Sequence, residues 1–389
     1  MEYITTEVIK VNNQWLKWAR KTLKYTKKEV STKLNKKVED VEQWEKTGEL
    51  SYNELKKISQ LYDVSSLFFL NNTPPSEIID EIVDFRTIKN KKTNNTPEIL
   101  KEIKHAKYRR KLILDLQKQL ELTNKYKYDN ICTTSEECIE TIKKRFDINN
   151  IKLNYSFEKW IKLFESYNIL IFQFYRIPTT SIRGYALHYD ELPIIGINHS
   201  DSDKAKTFTL FHELAHILLK KDGISGSLTK ENITQKTEQK CNKIAAELLL
   251  PEKQLDQILE GKEEYSLKNI VQILQSKYNI SKTAIVYRLL NLNKISKEEC
   301  ENYITALQVH DTTRKSKNKR VNTKNIPNKK YKDKSTMTMN KNGTIYINTL
   351  FQAEDENIID DITLAQELNI PRKAVPFLVE KIREGNTNE

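Results

Sequence analysis

Hydrophobic positions recur at helical spacing through the first seventy residues. Trp15, Leu16, Trp18, Ala19 and Leu23 share one helix face, Val38, Val41 and Trp44 a second, and Leu55, Ile58, Leu61 and Tyr62 a third. Thr26, followed three residues later by Glu29, predicts a helix N-terminus closed by a capping box, and Gly48 predicts the stop of the helix that contains Trp44. Short helices joined by a tight turn suit a helix-turn-helix unit. Pro74-Pro75 breaks the pattern, and Lys89–Thr96 reads as a polar loop. A helix is predicted over 97–122 and a shorter one near 135–146. Between 168 and 198 the period changes to that of strands, predicted at Ile169–Arg176, Ile182–Tyr189 and Pro193–Asn198. Two long helices follow near 203–220 and 232–250, the second ended by Pro251. Three smaller helices are expected within 252–308. Residues 311–336, dominated by Lys, Asn, Thr and Ser, read as a flexible basic linker, and Ile362–Leu368 and Val375–Ile382 as closing helical pieces. No repeat of 20–50 residues is present. The fold class expected is mostly α, of the α+β kind.

Composition narrows this picture in a few places. A chain of 389 residues exceeds one ordinary compact domain. Apolar residues are 38%, but they cluster, as in Phe208–Leu219, so globular units with polar connectors are expected. The formal net charge of +12 is compatible with a nucleic-acid or acidic partner, although lysines spread over solvated faces account for it more simply. Cys132, Cys138, Cys241 and Cys300 fit neither a zinc knuckle nor a dense disulfide framework, and free thiols in a reducing compartment are expected. Met1-Glu2-Tyr3-Ile4 does not open a signal peptide, and the longest apolar run, near Ile169–Tyr175, is far short of the ~20 residues of a membrane helix. A soluble, cytoplasmic protein without membrane association is the expectation.

The strongest chemical signal is His212-Glu213-Leu214-Ala215-His216. Two histidines four apart leave one helix from the same face and supply half of a tetrahedral zinc site. A catalytic site needs a third protein ligand and an open position. Glu213 can reach a water at that position without ligating the metal, which makes it the expected general base. Phe208, Phe211, Leu214, Ile217, Leu218 and Leu219 make the helix apolar around these residues, so buried polar groups there need a metal or a partner. Glu238, on the next predicted helix, is the expected third ligand. Small neighbours, Cys241, Ala245 and Ala246, would let that helix approach closely. Glu247 is a weaker candidate, being nine residues on and about 180° around the helix. His188 and Tyr185 are candidate oxyanion donors, with Tyr189 and His199 nearby in sequence. An edge strand within 181–198 could accept an extended peptide by strand addition.

These segments carry a family resemblance. Thr207–Leu219 together with Glu238-x-x-Cys241-Asn242-x-x-Ala245-Ala246-Glu247-Leu-Leu-Leu-Pro251 resembles the ImmA/IrrE metallopeptidases. Arg183-Gly184-Tyr185, the run Pro193–Asn198 and Asp84-Phe85-Arg86-Thr87 fit motifs of that family. The likeness covers roughly 10–300, and 340–385 matches only loosely. It implies a gluzincin-like site with one Zn2+ ion, held by His212, His216 and Glu238 and served by Glu213 as base. It also implies action on regulatory proteins, repressors with a helix-turn-helix among them. Cys241 departs from the family, which usually has Ala there. Residues 15–62 resemble a Cro/C1-type (XRE) helix-turn-helix, with Trp44-Glu45-Lys46-Thr47-Gly48-Glu49 at the end of its recognition helix. Lys33, Lys36 and Lys37 are candidate phosphate contacts and Gln43 a candidate DNA-binding residue, but Glu39, Asp40 and Glu42 on the recognition helix oppose phosphate. The unit is therefore read either as DNA-binding or as a protein-docking or dimerising module. The domains expected are 1–78 helix-turn-helix, 79–130 linker and helix, 131–251 zinc peptidase core, 252–308 helical and helix-turn-helix-like, 309–338 flexible basic linker, and 339–389 small helical segment. The function expected is a zinc endopeptidase acting on a regulatory protein. The alternative is a DNA-binding transcriptional regulator whose zinc domain is sensory or structural.

Overall fold

A computed structural model describes residues 8–70, 96–129, 132–148, 151, 155–219, 230–261, 265–315 and 329–386. The motif Asp84-Phe85-Arg86-Thr87 lies outside the described residues. The chain divides into two compact units, Met1–Tyr108 and Arg109–Glu389.

In the first unit, strand β1 (Val8–Lys10) leads into helices α1 (Asn13–Thr22), α2 (Lys27–Leu34) and α3 (Val38–Thr47), strand β2 (Glu49–Ser51) and α4 (Tyr52–Tyr62). The capping box at Thr26 and Glu29 is formed, and a second one closes α4 through Ser51 and Glu54. Gly48 ends α3 at φ +75, and a Cβ there would meet the Val11 carbonyl oxygen at 2.2 Å. Glycine is thus required both by the left-handed backbone and by the close approach of the chain at Val11, whose amide donates to the Gly48 carbonyl. β1 and β2 pair antiparallel. Leu16, Val30, Val41, Trp44, Leu55 and Ile58 fill the core, closed by Phe68 and Phe69 of a short 3-10 turn. Arg20, buried, pairs with Glu45 of α3 through Nε and Nη2.

The next helix is α5 (Pro97–Gln119). The second unit continues with α6 (Ser135–Arg145), α7 (Phe157–Ser166), and strands β3 (Leu170–Phe174), β4 (Gly184–Leu187) and β5 (Ile194–Asn198). Then come α8 (Asp203–Leu218), α9 (Lys230–Leu249), α10 (Glu252–Leu259), α11 (Leu267–Lys277), α12 (Lys282–Asn291) and α13 (Lys297–Lys315). The C-terminal helices are α14 (Lys329–Asn342), α15 (Thr344–Asp355), α16 (Asp361–Glu367) and α17 (Val375–Asn386). The three strands form one sheet in the order β3-β5-β4, with β5 parallel to β3 and antiparallel to β4. β3 and β5 are buried along their whole length, as expected of strands covered on both sides. α8 packs on β4, β5, α7 and α9, and α14 packs on β3. Trp160 of α7 meets Phe211 edge-on at 4.9 Å, tying α7 to the middle of α8. No helix among the described residues is long and apolar enough to cross a membrane.

Three expectations need correction. Residues 309–315 and 329–338 are helical, in α13 and α14, and not flexible linker. α14 buries a polar face, Ser335, Thr338 and Asn342, and its Lys341 carbonyl accepts from Arg109 Nη1 at 2.6 Å. A helix that packs through such residues has the composition of a loop. Residues 252–308 hold four helices where three were expected, and α7 and α15 were not anticipated.

Candidate metal centre

The site is assembled by two packed helices and one strand. Ser202 caps α8, its hydroxyl accepting from the Ala205 amide. The helix then runs uninterrupted through Leu218, burying His212 and Glu213 and leaving His216 partly open. Phe211, Leu214, Ala215, Ile217 and Leu218 surround them with hydrocarbon. Cys241 and Ala245, both fully buried, lie on α9 where it packs against α8. Small side chains permit that approach.

His212, His216 and Glu238 form the group that could hold a metal ion among the described residues. His212 Nε2 and His216 Nε2 are 3.1 Å apart. Glu238 places Oε2 3.2 Å from His212 Nε2 and Oε1 3.3 Å from His216 Nε2. A tetrahedral ion with bonds of about 2.0–2.1 Å separates its ligand atoms by about 3.3 Å. The three side chains therefore outline one face of such a tetrahedron, and the donor set of two imidazoles and a carboxylate suits a divalent transition metal. Burial pushes the His216 pKa down, but hydrogen bonds to Cys241 and Glu238 and the charge of Glu213 outweigh it and raise the pKa to about 10.

Glu213 follows His212 on α8 and faces the sheet at Gly184. A Cβ on Gly184 would fall 3.1 Å from Glu213 Cγ and 2.5 Å from Thr209 Cγ2. The bare glycine lets the edge strand β4 lie directly against the helix. His188, two residues beyond Ala186 on the same side of the chain as Gly184, donates from Nδ1 to the Ile217 carbonyl oxygen at 3.1 Å, and so stays beside α8.

The other expected donors lie elsewhere. Tyr185 alternates with Gly184 and stands on the opposite face of the sheet, over Gly196 and stacked on Phe174 at 5.7 Å. This parity places it on the face of the sheet away from Glu213. Tyr189 is covered by the Arg110 guanidinium at 3.6 Å, and His199 is held by Gln173 Oε1 and stacked on Tyr175. Glu247 pairs with Arg288. Among the candidate nucleic-acid contacts, Lys36 is paired with Glu54, while Lys37 and Gln43 are exposed. One contact was not anticipated: Asn242 Oδ1 lies 2.9 Å from His212 Nδ1. Its position one turn beyond Glu238 was the available clue.

Residues 166–290 match the Peptidase_M78 family model, which describes the IrrE N-terminal-like domain. This segment is similar to metallopeptidases. The match begins at the end of α7 and takes in β3–β5, α8, α9 and the helices through most of α12, about a third of the chain. No curated protein and no solved structure matches the chain.

Proposed function

We propose that this protein is a zinc-dependent endopeptidase of the ImmA/IrrE type that cuts a regulatory protein, with a helix-turn-helix repressor as the substrate class. The observation that carries the reading is the convergence of His212, His216 and Glu238 at tetrahedral spacing beside Glu213 and the edge strand β4. Zinc would be held by these three side chains and, when bound, supplies Lewis acidity toward a water and the scissile carbonyl.

The remaining work falls to the chain's own groups. β4 ends the sheet, and its outer edge can pair with an extended substrate backbone. That pairing would lay the peptide along α8. Glu213 accepts the proton of the attacking water and passes it to the leaving amine. Apolar walls from α8 exclude bulk water and strengthen these interactions. His188, held at the C-terminal end of α8, is the remaining donor candidate for the developing oxyanion.

The first unit is proposed as a Cro/C1-type helix-turn-helix fold used to dock a protein partner. Glu39, Glu42 and Gln43 are exposed on α3, and Lys27 and Lys36 are neutralised by Glu42 and Glu54. Such a surface is poorly suited to phosphate.

The test of peptidase chemistry is Glu213→Gln. Small helix-turn-helix repressors, beginning with any encoded beside this gene, serve as substrates, and products are read by mass spectrometry. The wild-type chain should cleave, while the variant keeps its zinc and loses about 10²–10⁴-fold in rate. Equal cleavage by both would show that Glu213 is not the base. Regulation that survives in the variant would favour a sensory zinc domain.

A further inference from the structure

The sign of the charge reverses near the C-terminus. Residues 344–371 contain no Lys or Arg and hold Glu354, Asp355, Glu356, Asp360, Asp361 and Glu367, in a protein whose net charge is +12. α15 ends in this stretch and α16 lies within it. Among the described residues, Glu354, Asp355 and Glu356 form no ion pair, whereas Asp361 is paired with Arg372.

The same helices leave apolar surface uncovered. α17 is apolar on two sides. Leu378, fully buried, and Phe377, stacked on Tyr331 at 5.8 Å, seat it on α14. Val375, Val379 and Ile382 recur at i, i+4 and i+7 and form a second stripe. They are only partly buried, and with Phe351 of α15 and Leu364 of α16 they line a cavity of about 640 Å³. Glu354 and Asp355 line it from the end of α15. Asn348, Gln352 and Asp355 at its edge are exposed, so the cavity is an open groove. Arg372 and Arg383 also border it, but the first is held by Asp361 and the second has an interaction of its own. The acids of α15 therefore set the sign of the groove.

We infer that this groove is a docking site for a Lys/Arg-rich amphipathic helix of a protein partner. The stripe on α17 spans two helical turns, about 10 Å, which matches a helix offering its own anchors at i, i+3 or i+4, and i+7. An apolar floor supplies the contact, and the acidic rim selects basic flanks and repels acidic ones. The groove lies outside residues 166–290, so the inference stands apart from the metal-site reading.

The experiment is fluorescence anisotropy with the full-length chain and a labelled amphipathic peptide of about 18 residues, Leu on one face and Lys on the others. A second peptide replaces every Lys by Glu. The wild type should bind the Lys peptide at least tenfold more tightly than the Glu peptide. Glu354→Lys with Asp355→Lys should weaken the Lys peptide about five- to tenfold and flatten its salt dependence. Val379→Asp should weaken it about 30-fold or more, as loss of a central anchor does. The thermal midpoint of each variant is measured alongside, and the α15 pair, at the surface, keeps the test sound if Val379→Asp unfolds. Equal binding of the two peptides, or none of the Lys peptide, overturns the inference. So does Lys-peptide binding that the α15 pair leaves unchanged, since the peptide would then sit elsewhere on a basic chain. A wild-type dimer in light scattering that Val379→Asp splits into monomers overturns it in favour of a second copy in the groove.

Discussion

Glu165 ends α7 inside the protein, fully buried, with Oε1 accepting from the Thr344 amide at 2.8 Å and Oε2 without a hydrogen-bond partner. Desolvation drives its pKa up from 4.5 to about 7, against the opposing hydrogen bonds of Thr344 and Ile345. A carboxyl whose folded pKa is raised binds its proton more tightly in the folded state. Its contribution is therefore fully favourable below about pH 4.5 and is lost as pH rises toward 7. The size of the loss is on the order of 3 kcal/mol. Glu165→Gln keeps the Oε1 acceptor and has nothing to ionise, so denaturant midpoints at pH 5 and pH 8 should differ less in the variant than in the wild type. An unchanged difference would show that Glu165 does not titrate in this window. No periodicity marks this residue, since it lies in a helix the hydrophobic pattern did not separate and its partner is 179 residues away. The candidate ligand set could be read for the opposite reason. His212, Glu213 and His216 are fixed relative to one another by helix geometry alone, and only Glu238 needed a second element.

At the scale of elements, the spacing between β4 and α8 determines where Glu213 stands. Gly184 faces Thr209 and Glu213, and a Cβ there would also fall 3.0 Å from the Gly196 carbonyl oxygen of the central strand. Backbone on one side and α8 on the other leave no cheap relaxation. Gly184→Ala should therefore push β4 away from α8, reducing cleavage by tenfold or more, as a misplacement of a few tenths of an ångström to one ångström does. Zinc binding should survive, because all three ligands lie on α8 and α9. Comparison of kcat/KM with metal content checks this, and wild-type kinetics would mean that β4 does not set the position of Glu213. Helix starts such as Thr26 with Glu29 were readable because a cap is a local signal. Strand pairing was not, and with it the fate of Tyr185, since which face a residue presents depends on neighbours distant in sequence. α14 escaped notice for yet another reason: its buried side is Ser335, Thr338 and Asn342, which carry no hydrophobic period.

Across the whole molecule, a net charge of +12 invites a nucleic-acid partner, yet charge alone speaks to association in general and not to a specific surface. The helix that would enter a major groove, α3, exposes Glu39 and Glu42, and its neighbours Lys27 and Lys36 are already paired with acids. Freeing such lysines for phosphate would give up those pairs and leave the carboxylates facing the duplex. Weak, salt-sensitive binding through scattered lysines is still expected, with log affinity falling in proportion to the number of phosphates neutralised. Sequence preference is not. In a mobility-shift competition with the full-length chain, duplexes from the neighbourhood of its own gene should compete no better than random duplex of equal length. A fragment that resists random competitor at moderate salt would show that α3 reads bases despite its acids. Lys37→Ala and Gln43→Ala should then abolish that preference, and the first unit would be a DNA-binding module instead of a dock for the peptidase's partner.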